Sequence, residues 1–419
     1  MTVRLSQLAN GMRVLTDRMT SVETVSLGVW VAVGTRHEPA PINGVAHLLE
    51  HMAFKGTVRR SALEIAAEIE SVGGQVNAYT SREHTAYYAK VLKENAGLAI
   101  DILADILQHS SFDPHELERE RAVVLQEIGQ ANDTPDDIIF DLFQERAFPD
   151  QPMGRPVLGR AEIIRTIDRE TVASYLHRNY AAPNMMLVAA GNLDHGEIVD
   201  LAQRAFSELP GESAAWSEPA HYVGGDMRQE RELEQVHILL GFPGFAFSDP
   251  DYYAASVVST ALGGGMSSRL FQEIREKRGL VYSIYSFTHS YSDAGVFGVY
   301  AGTGEDEAAE LMPALVGELR RLEDGLAPAE LERARAQLKA GLLMSLEGTT
   351  ARCEQQAAHM LVFGRPLDMQ ELVQRIEEVD DDAARRVARR ILRAPPTVTA
   401  LGPVARVEAY GRLVEELGV

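Results

Sequence analysis

The sequence is organised around one short stretch, Gly44-Val45-Ala46-His47-Leu48-Leu49-Glu50-His51-Met52. His47 and His51 are four residues apart, so on an α-helix their imidazoles lie on one face and can share one cation. Glu50 lies on the same side of that helix and can reach a water molecule held by the cation, which makes it a candidate general base. The stretch therefore predicts a helix that carries part of a metal site. The alternative is a helix with two hydrogen-bonded structural histidines.

The order His-x-x-Glu-His is the reverse of the His-Glu-x-x-His zinc helix, and it leaves one protein ligand to be found elsewhere. Glu127 is the candidate, 127 − 51 = 76 residues after His51. Glu120 and Glu127 are seven residues apart, about two helical turns, so both carboxylates point to one side. One could bind metal while the other assists proton transfer. The alternative is a solvated acidic face that pairs with Arg119 and Arg121.

Three segments of the chain carry a resemblance to a known family: Ala46–Thr57, Glu120–Gln130 and Ala147–Gly159. They resemble the pitrilysin- or insulinase-type (M16) zinc peptidases, and especially the short branch that contains the mitochondrial processing peptidase β subunit. The resemblance implies that His47, His51 and Glu127 hold one Zn²⁺ per chain. It also implies that Glu50 is the catalytic base and that Glu120 is an acidic residue supporting the site.

The resemblance also implies two groups of substrate-binding residues. The strand containing Asn77, Ala78 and Tyr79 matches an edge strand on which an extended substrate pairs through main-chain hydrogen bonds. Arg275 and Tyr282, seven residues apart, match a pair that binds substrate and polarises its carbonyl group. Without the resemblance, Asn77 could be a structural polar residue near a turn, and Arg275 and Tyr282 an ordinary surface arginine and core tyrosine.

The length of 419 residues exceeds that of one typical core and predicts two domains. We predict an α+β (α/β) fold in which each domain has a mainly antiparallel sheet with helices packed on it. The stretch Pro210–Ala215 has linker composition, so the predicted domains are a zinc-binding peptidase domain at 1–211 and a metal-free repeat domain at 212–419.

The second half reads as a diverged copy of the first. The segment around Pro114 recurs around Pro328, and the strand ending at Gly191 recurs as one ending at Gly402. Carried forward with the offset 328 − 114 = 214, Glu120 falls on Ala334 and Glu127 on Gly341. We therefore expect the second copy to lack a metal site.

Composition limits the partners. The chain is 45% hydrophobic and 24% charged, without a run long enough to span a membrane. Its net charge of −21 opposes binding to nucleic acid or anionic membranes and would attract basic peptides, unless it serves solubility alone. The single cysteine, Cys353, fits a reducing compartment. An Asn10-Gly11 turn feeds a strand close to Met1, so we expect no signal peptide and a cytoplasmic, bacterial protein.

The function implied by the resemblance is that of a zinc endopeptidase acting on unfolded or extended peptides. The acidic net charge leads us to expect a preference for basic residues. Long family members join two such halves, so we expect a homodimer in which one chain's zinc site is completed by Arg275 and Tyr282 of the other. The arrangement with both sets in one chain stays open. Two other functions also stay open: a scaffold subunit without catalysis, and a zinc-dependent peptide-binding protein without turnover.

Overall fold

The structure is a computed structural model that describes residues 2–212 and 217–418. Its strands, in chain order, are β1 (Val3–Gln7), β2 (Arg13–Arg18), β3 (Thr24–Val31), β4 (Gln75–Thr80), β5 (Thr85–Leu92), β6 (Met185–Gly191), β7 (Gly225–Glu230), β8 (Val236–Pro243), β9 (Val281–Ser290), β10 (Gly295–Thr303) and β11 (Thr397–Gly402).

The α-helices are α1 (Val45–Ala53), α2 (Ala62–Ser71), α3 (Ala96–Gln108), α4 (Pro114–Asn132), α5 (Pro135–Ala147), α6 (Ala161–Ile164), α7 (Arg169–Asn179), α8 (His195–Ala205), α9 (Tyr252–Gly263), α10 (Ala308–Arg321), α11 (Pro328–Ser345), α12 (Thr349–Phe363), α13 (Met369–Glu377), α14 (Asp381–Ile391) and α15 (Tyr410–Leu417). A π-helix spans Phe271–Glu276. None of the helices in the described ranges is long and apolar enough to cross a membrane.

The chain forms two compact units, and each includes a segment from the opposite half of the sequence. The first unit comprises residues 1–130, 155–218 and 345–366, and the second comprises residues 131–154, 219–344 and 367–419. The units differ from the linear division at residue 211 by the segments that contain α5 and α12. The division along the sequence stays a prediction, and residues 213–216 at its boundary lie outside the described residues.

The first unit contains a six-stranded sheet in the order β1-β2-β6-β3-β5-β4. Only the β2–β6 pair is parallel, and β4 at the edge pairs with β5 alone. Helices α1 and α3 belong to the large core on one face, and α12 covers part of the other face with Cys353, Ala357 and Met360. The strand β3 is buried along nearly its whole length because both faces are covered.

The second unit contains a five-stranded sheet in the order β7-β11-β8-β10-β9, again with one parallel pair, β7–β11. Helices α9, α10 and α14 contribute to the core on one face, and α5 packs on β7, β8 and β11. This order matches the first sheet without β1, with β11 in the place of β6. The structure therefore confirms two α+β units with mainly antiparallel sheets, and the shared strand order is what an internal repeat predicts.

The internal repeat includes the two glycines that end β6 and β11, Gly191 and Gly402. Gly191 has φ +138° and Gly402 has φ +119°, values that only glycine adopts easily. A Cβ atom would lie 2.2 Å from the Thr24 carbonyl oxygen at Gly191, and 2.4 Å from the Gln235 carbonyl oxygen at Gly402. Both positions therefore exclude side chains for the same two reasons.

We expect Gly402→Ala to lower the free energy of unfolding by about 2–4 kcal/mol, because the change combines backbone strain with a clash against a carbonyl oxygen. Gly341→Ala, inside α11, is the control, since a Cβ atom there meets no other atom within 4 Å. It should stabilise the helix by up to about 1 kcal/mol. Urea unfolding followed by circular dichroism measures both variants, and equal midpoints would contradict the prediction.

Candidate metal centre

Helix α1 carries the two histidines, and its first turn is held by the side chain of Glu38, six residues before Gly44. The residue before the helix, Gly44, has no side chain to cap it. Instead, the Glu38 carboxylate accepts hydrogen bonds from the backbone N–H groups of Gly44 (2.8 Å) and Ala46 (2.7 Å), and from Asn43 Nδ2 (2.9 Å). These bonds satisfy donors that an uncapped helix leaves unpaired. Glu38 is only 2% exposed, and burial raises its pKa to about 7.

A close backbone contact fixes the direction of α1. Gly44 has φ +96°, and a Cβ atom there would lie 2.8 Å from the Cα atom of Gly159. Gly159, also at positive φ, would place a Cβ atom 2.7 Å from the Cα atom of Gly44. Arg155 joins the same two segments by donating from Nη1 to the Glu38 carbonyl oxygen at 2.6 Å. The segment Arg155–Gly159 therefore packs against the start of α1 and holds it in place.

His47, His51 and Glu127 come together although α4 lies far from α1 in sequence. One ligand atom from each residue lies within 4.8 Å of the other two. Nε2 of His47 and Nε2 of His51 are each 3.6 Å from Glu127 Oε2. That spacing is too long for hydrogen bonds but close to the separation of about 3.4 Å expected for ligands of one tetrahedral zinc ion.

Both histidines have the chemistry of metal ligands. Burial and the neighbouring His51 lower the pKa of His47 to about 4, so its imidazole is neutral at pH 7. The Nδ1 atom of His51 lies 3.0 Å from Glu120 Oε2, which favours the tautomer that leaves Nε2 unprotonated. Lys55 Nζ lies 2.8 Å from the other Glu120 oxygen. Glu120 is thus a buried carboxylate behind His51, oriented by Lys55.

Glu50 lies beside this group and is connected to the sheet. The Thr80 hydroxyl on β4 donates to Glu50 Oε2 at 2.5 Å. Burial raises the pKa of Glu50, and the negative charge of Glu127 acts in the same direction, while the Thr80 hydrogen bond and His51 oppose them. A carboxylate with a raised pKa, held by one hydrogen bond next to a metal site, suits proton transfer near neutral pH.

The other predicted residues lie in two places. Asn77, Ala78 and Tyr79 lie on β4, the edge strand that also provides Thr80. Arg275 and Tyr282 belong to the second unit, where the Arg275 guanidinium lies 5.9 Å from the centre of the Tyr282 ring. The Tyr282 side chain is exposed (74%) rather than part of the core, so the alternative of a core tyrosine is wrong.

Sequence reasoning missed Glu38, Lys55 and Thr80. Glu38 caps a helix from six to eight residues upstream, outside the local window in which capping motifs are found. Thr80 reaches Glu50 across thirty residues of chain. Lys55 lies just beyond the end of α1, so helical spacing does not place it beside Glu120.

The comparisons with known proteins show the family to which the chain belongs. Residues 13–161 match the family model described as insulinase (peptidase family M16), and residues 166–338 match the model of the peptidase M16 inactive domain. An uncharacterized zinc protease of Rickettsia bellii is 40% identical over 95% of this chain and 97% of that protein. A probable mitochondrial-processing peptidase subunit beta of Arabidopsis thaliana is 37% identical over 98% of this chain and 80% of that protein.

A solved structure of a protease from Helicobacter pylori has the same fold, with a TM-score of 0.90 at 24% identity, over 96% of this chain and 99% of that one. The fold and the relatives thus define a zinc metallopeptidase. Within that class, the chain belongs to peptidase family M16. The match of residues 166–338 to an inactive domain agrees with Ala334 at the position that corresponds to Glu120.

If Glu38 positions the metal helix, Glu38→Ala should weaken zinc binding about tenfold, because the first turn of α1 loses the acceptor for two backbone N–H groups. Asp194→Ala is the control: Asp194 caps α8 through the N–H of Glu197, away from the site. Zinc affinity is measured by competition with a chelating dye, alongside the melting temperature. Unchanged zinc affinity in Glu38→Ala would show that Glu38 supports folding alone.

Proposed function

We propose that this protein is a zinc endopeptidase that hydrolyses peptide bonds in unfolded or extended peptides, with a preference for basic residues. His47, His51 and Glu127 hold the ion, and Glu50 is the general base. The observation that carries the proposal is the meeting of these three ligand atoms within 4.8 Å, with Glu50 on the same helix as the two histidines. Three protein ligands leave one position open for catalysis.

When bound, zinc supplies a Lewis acid that polarises the scissile carbonyl group and lowers the pKa of water. The remaining work belongs to the side chains. Glu50 accepts the proton that the attacking water loses and transfers it to the leaving amine. Thr80 orients the Glu50 carboxylate through its 2.5 Å hydrogen bond. Glu120 keeps His51 in the tautomer that can bind metal.

The substrate binds along β4. This strand pairs with β5 on one side only, so its other edge can accept an extended peptide at Asn77, Ala78 and Tyr79. In the unbound protein, the N–H of Ala78 donates to Asn77 Oδ1 at 2.8 Å. The Asn77 side chain therefore occupies a donor that a bound peptide would use, and it must turn away when the peptide pairs.

Arg275 and Tyr282, which belong to the second unit, contact the substrate. The exposed Tyr282 hydroxyl can donate a hydrogen bond to a carbonyl oxygen that gains charge, and Arg275 can bind a peptide carbonyl or carboxylate. Arg275 is oriented by stacking, with its guanidinium 4.7 Å from the centre of the Phe271 ring. Arg275 and Tyr282 thus bind and polarise the substrate carbonyl group, whereas Glu50 transfers the proton.

The protein acts in the cytoplasm of a bacterial cell as a homodimer. In this arrangement, His47, His51 and Glu127 of one chain work with Arg275 and Tyr282 of the other. The net charge of −21 supports the preference for basic peptides, because it accelerates their association at low salt.

Ligand and base variants should separate the proposed roles. His47→Ala, His51→Ala and Glu127→Gln should each lose zinc. Glu50→Gln should keep one zinc per chain and lower kcat by about 10²–10⁴-fold, because the base is not a ligand. Glu118→Gln, at an exposed carboxylate of α4, is the control and should behave as wild type. Loss of zinc from Glu50→Gln, or its retention in Glu127→Gln, would overturn the assignment.

A mixing experiment tests the shared site. Glu50→Gln and Tyr282→Phe proteins should each be inactive alone, and mixing with subunit exchange should restore part of the activity. One site of each heterodimer then combines an intact Glu50 with an intact Tyr282. Peptide hydrolysis is measured together with native mass spectrometry to count heterodimers. Continued inactivity with heterodimers present would exclude sharing between chains.

A further inference from the structure

The first unit has a cavity on the sheet face opposite the metal centre. Its volume is about 310 Å³, and it lies between α12 and the strands β3, β4 and β5. The residues that decide its chemistry are Trp30, Asn77, Tyr88, Thr350, Cys353 and Glu354. It therefore adjoins the edge strand proposed to bind substrate, and nothing in the proposed catalytic mechanism uses it.

Successive side chains of β4 point to opposite faces of the sheet, so the strand contacts both the metal centre and the cavity. The Thr80 hydroxyl contacts Glu50, so Thr80 and Ala78 face the metal centre. Tyr79 faces the other way, and its hydroxyl donates to Glu354 Oε2 at 2.9 Å. Asn77 shares that face and lines the cavity. A peptide paired along β4 would therefore send alternate side chains toward the metal and toward the cavity.

Glu354 gives the cavity its charge. It lies on α12 and is half-buried, and Tyr79 is the donor to its carboxylate. In the described part of the chain, no Lys, Arg or His lies within ion-pair distance of it. Burial raises its pKa, as expected for a carboxylate without a cationic partner. A partly buried carboxylate of this kind is an open site for a cation.

The walls suit the apolar stem of a long cationic side chain. Trp30, Tyr88 and Cys353 present aromatic rings and a thiol along the cavity. Lysine and arginine place their methylene groups on such surfaces while the charged end finds an acceptor. The lining thus combines apolar walls with an acidic end.

Lys90 also lines the cavity, but at its other end. Lys90 is opposite Gln75 in the β4–β5 pair, whereas Tyr79, which binds Glu354, is opposite Ala86. Ala86 and Lys90 are four residues apart on β5, so their Cα atoms are about 13 Å apart at the rise of a strand. In the described residues Glu354 also makes no ion pair with Lys90, so its carboxylate is available to another cation.

We propose that this cavity is a side-chain subsite that binds a lysine or arginine of the extended peptide, with its charged end on Glu354. The subsite rests on the proposed peptidase function, since β4 must hold the peptide that delivers the side chain. It selects the substrate on the sheet face away from the metal, at a position set by the alternation of β4.

The test uses one peptide with a single arginine moved through the positions around the cleaved bond, and a matching set with citrulline. Citrulline has the shape of arginine without its charge. Wild-type protein should prefer arginine at one position by about tenfold in kcat/KM, the size of a charge-assisted hydrogen bond. Glu354→Gln, which keeps an acceptor for Tyr79, should reduce that ratio to about twofold or less.

The ratio compares each variant with itself, so effects on folding or zinc content cancel. Glu70→Gln, at an exposed carboxylate of α2, removes the same charge and should keep the tenfold ratio. A loss of preference in both variants would mean that overall charge selects the peptide, and it would overturn the subsite. An equal ratio in wild type and Glu354→Gln would overturn it as well.

Calorimetric binding of the same peptides to Glu50→Gln protein separates this inference from the proposed function. If wild type cleaves no peptide but the arginine preference in binding depends on Glu354, the peptidase function fails and the subsite stands. If peptides are cleaved and neither cleavage nor binding depends on Glu354, the subsite fails and the function stands.

Discussion

The metal centre depends on how the first turn of α1 is held. A helix of nine residues is too short to be stable alone, so its position comes from its contacts. Glu38 binds the backbone N–H groups at its start, and the paired glycines Gly44 and Gly159 let a second segment approach to backbone contact. Because His47 and His51 lie within two turns of this anchor, a small shift there would move both imidazoles.

In the proposed mechanism, the edge strand β4 joins catalysis to substrate recognition. Thr80 contacts Glu50 on one face, and Tyr79 contacts Glu354 on the other. A peptide added to this edge would therefore be in register with both contacts at once. Main-chain pairing binds many sequences, and the two faces allow different side chains to be selected independently. Such an arrangement suits an enzyme that acts on unfolded chains and still chooses where to cut.

The two units show how one fold carries different roles. Their sheets share a strand order, and Gly191 and Gly402 end equivalent strands under the same steric limits. The second unit has Ala334 and Gly341 where the first has Glu120 and Glu127. In its described residues it has no cluster that could hold a metal ion. The fold was thus kept by packing and backbone geometry, while the chemistry resides in a few side chains.

Sequence by itself determined the features that follow from helical and strand periods. The four-residue spacing of His47 and His51 and the seven-residue spacing of Glu120 and Glu127 were enough to place each pair on one helix face. The matching segments of the two halves predicted the second sheet in the same way. The spacing predictions succeeded because the positions on one helix face repeat within a few residues, and the repeat prediction succeeded because similar segments form similar elements.

Only the tertiary structure decided the rest. It brought Glu38 to the start of α1 and Thr80 to Glu50, and it exchanged α5 and α12 between the halves of the sequence. The cavity at Glu354 exists because α12 packs on a sheet whose six strands all come from the other half of the chain. The Glu38 contacts span six to eight residues, the Thr80 contact spans thirty, and α12 packs on strands hundreds of residues away. No helical or strand period encodes any of these contacts, since they depend on how complete elements pack.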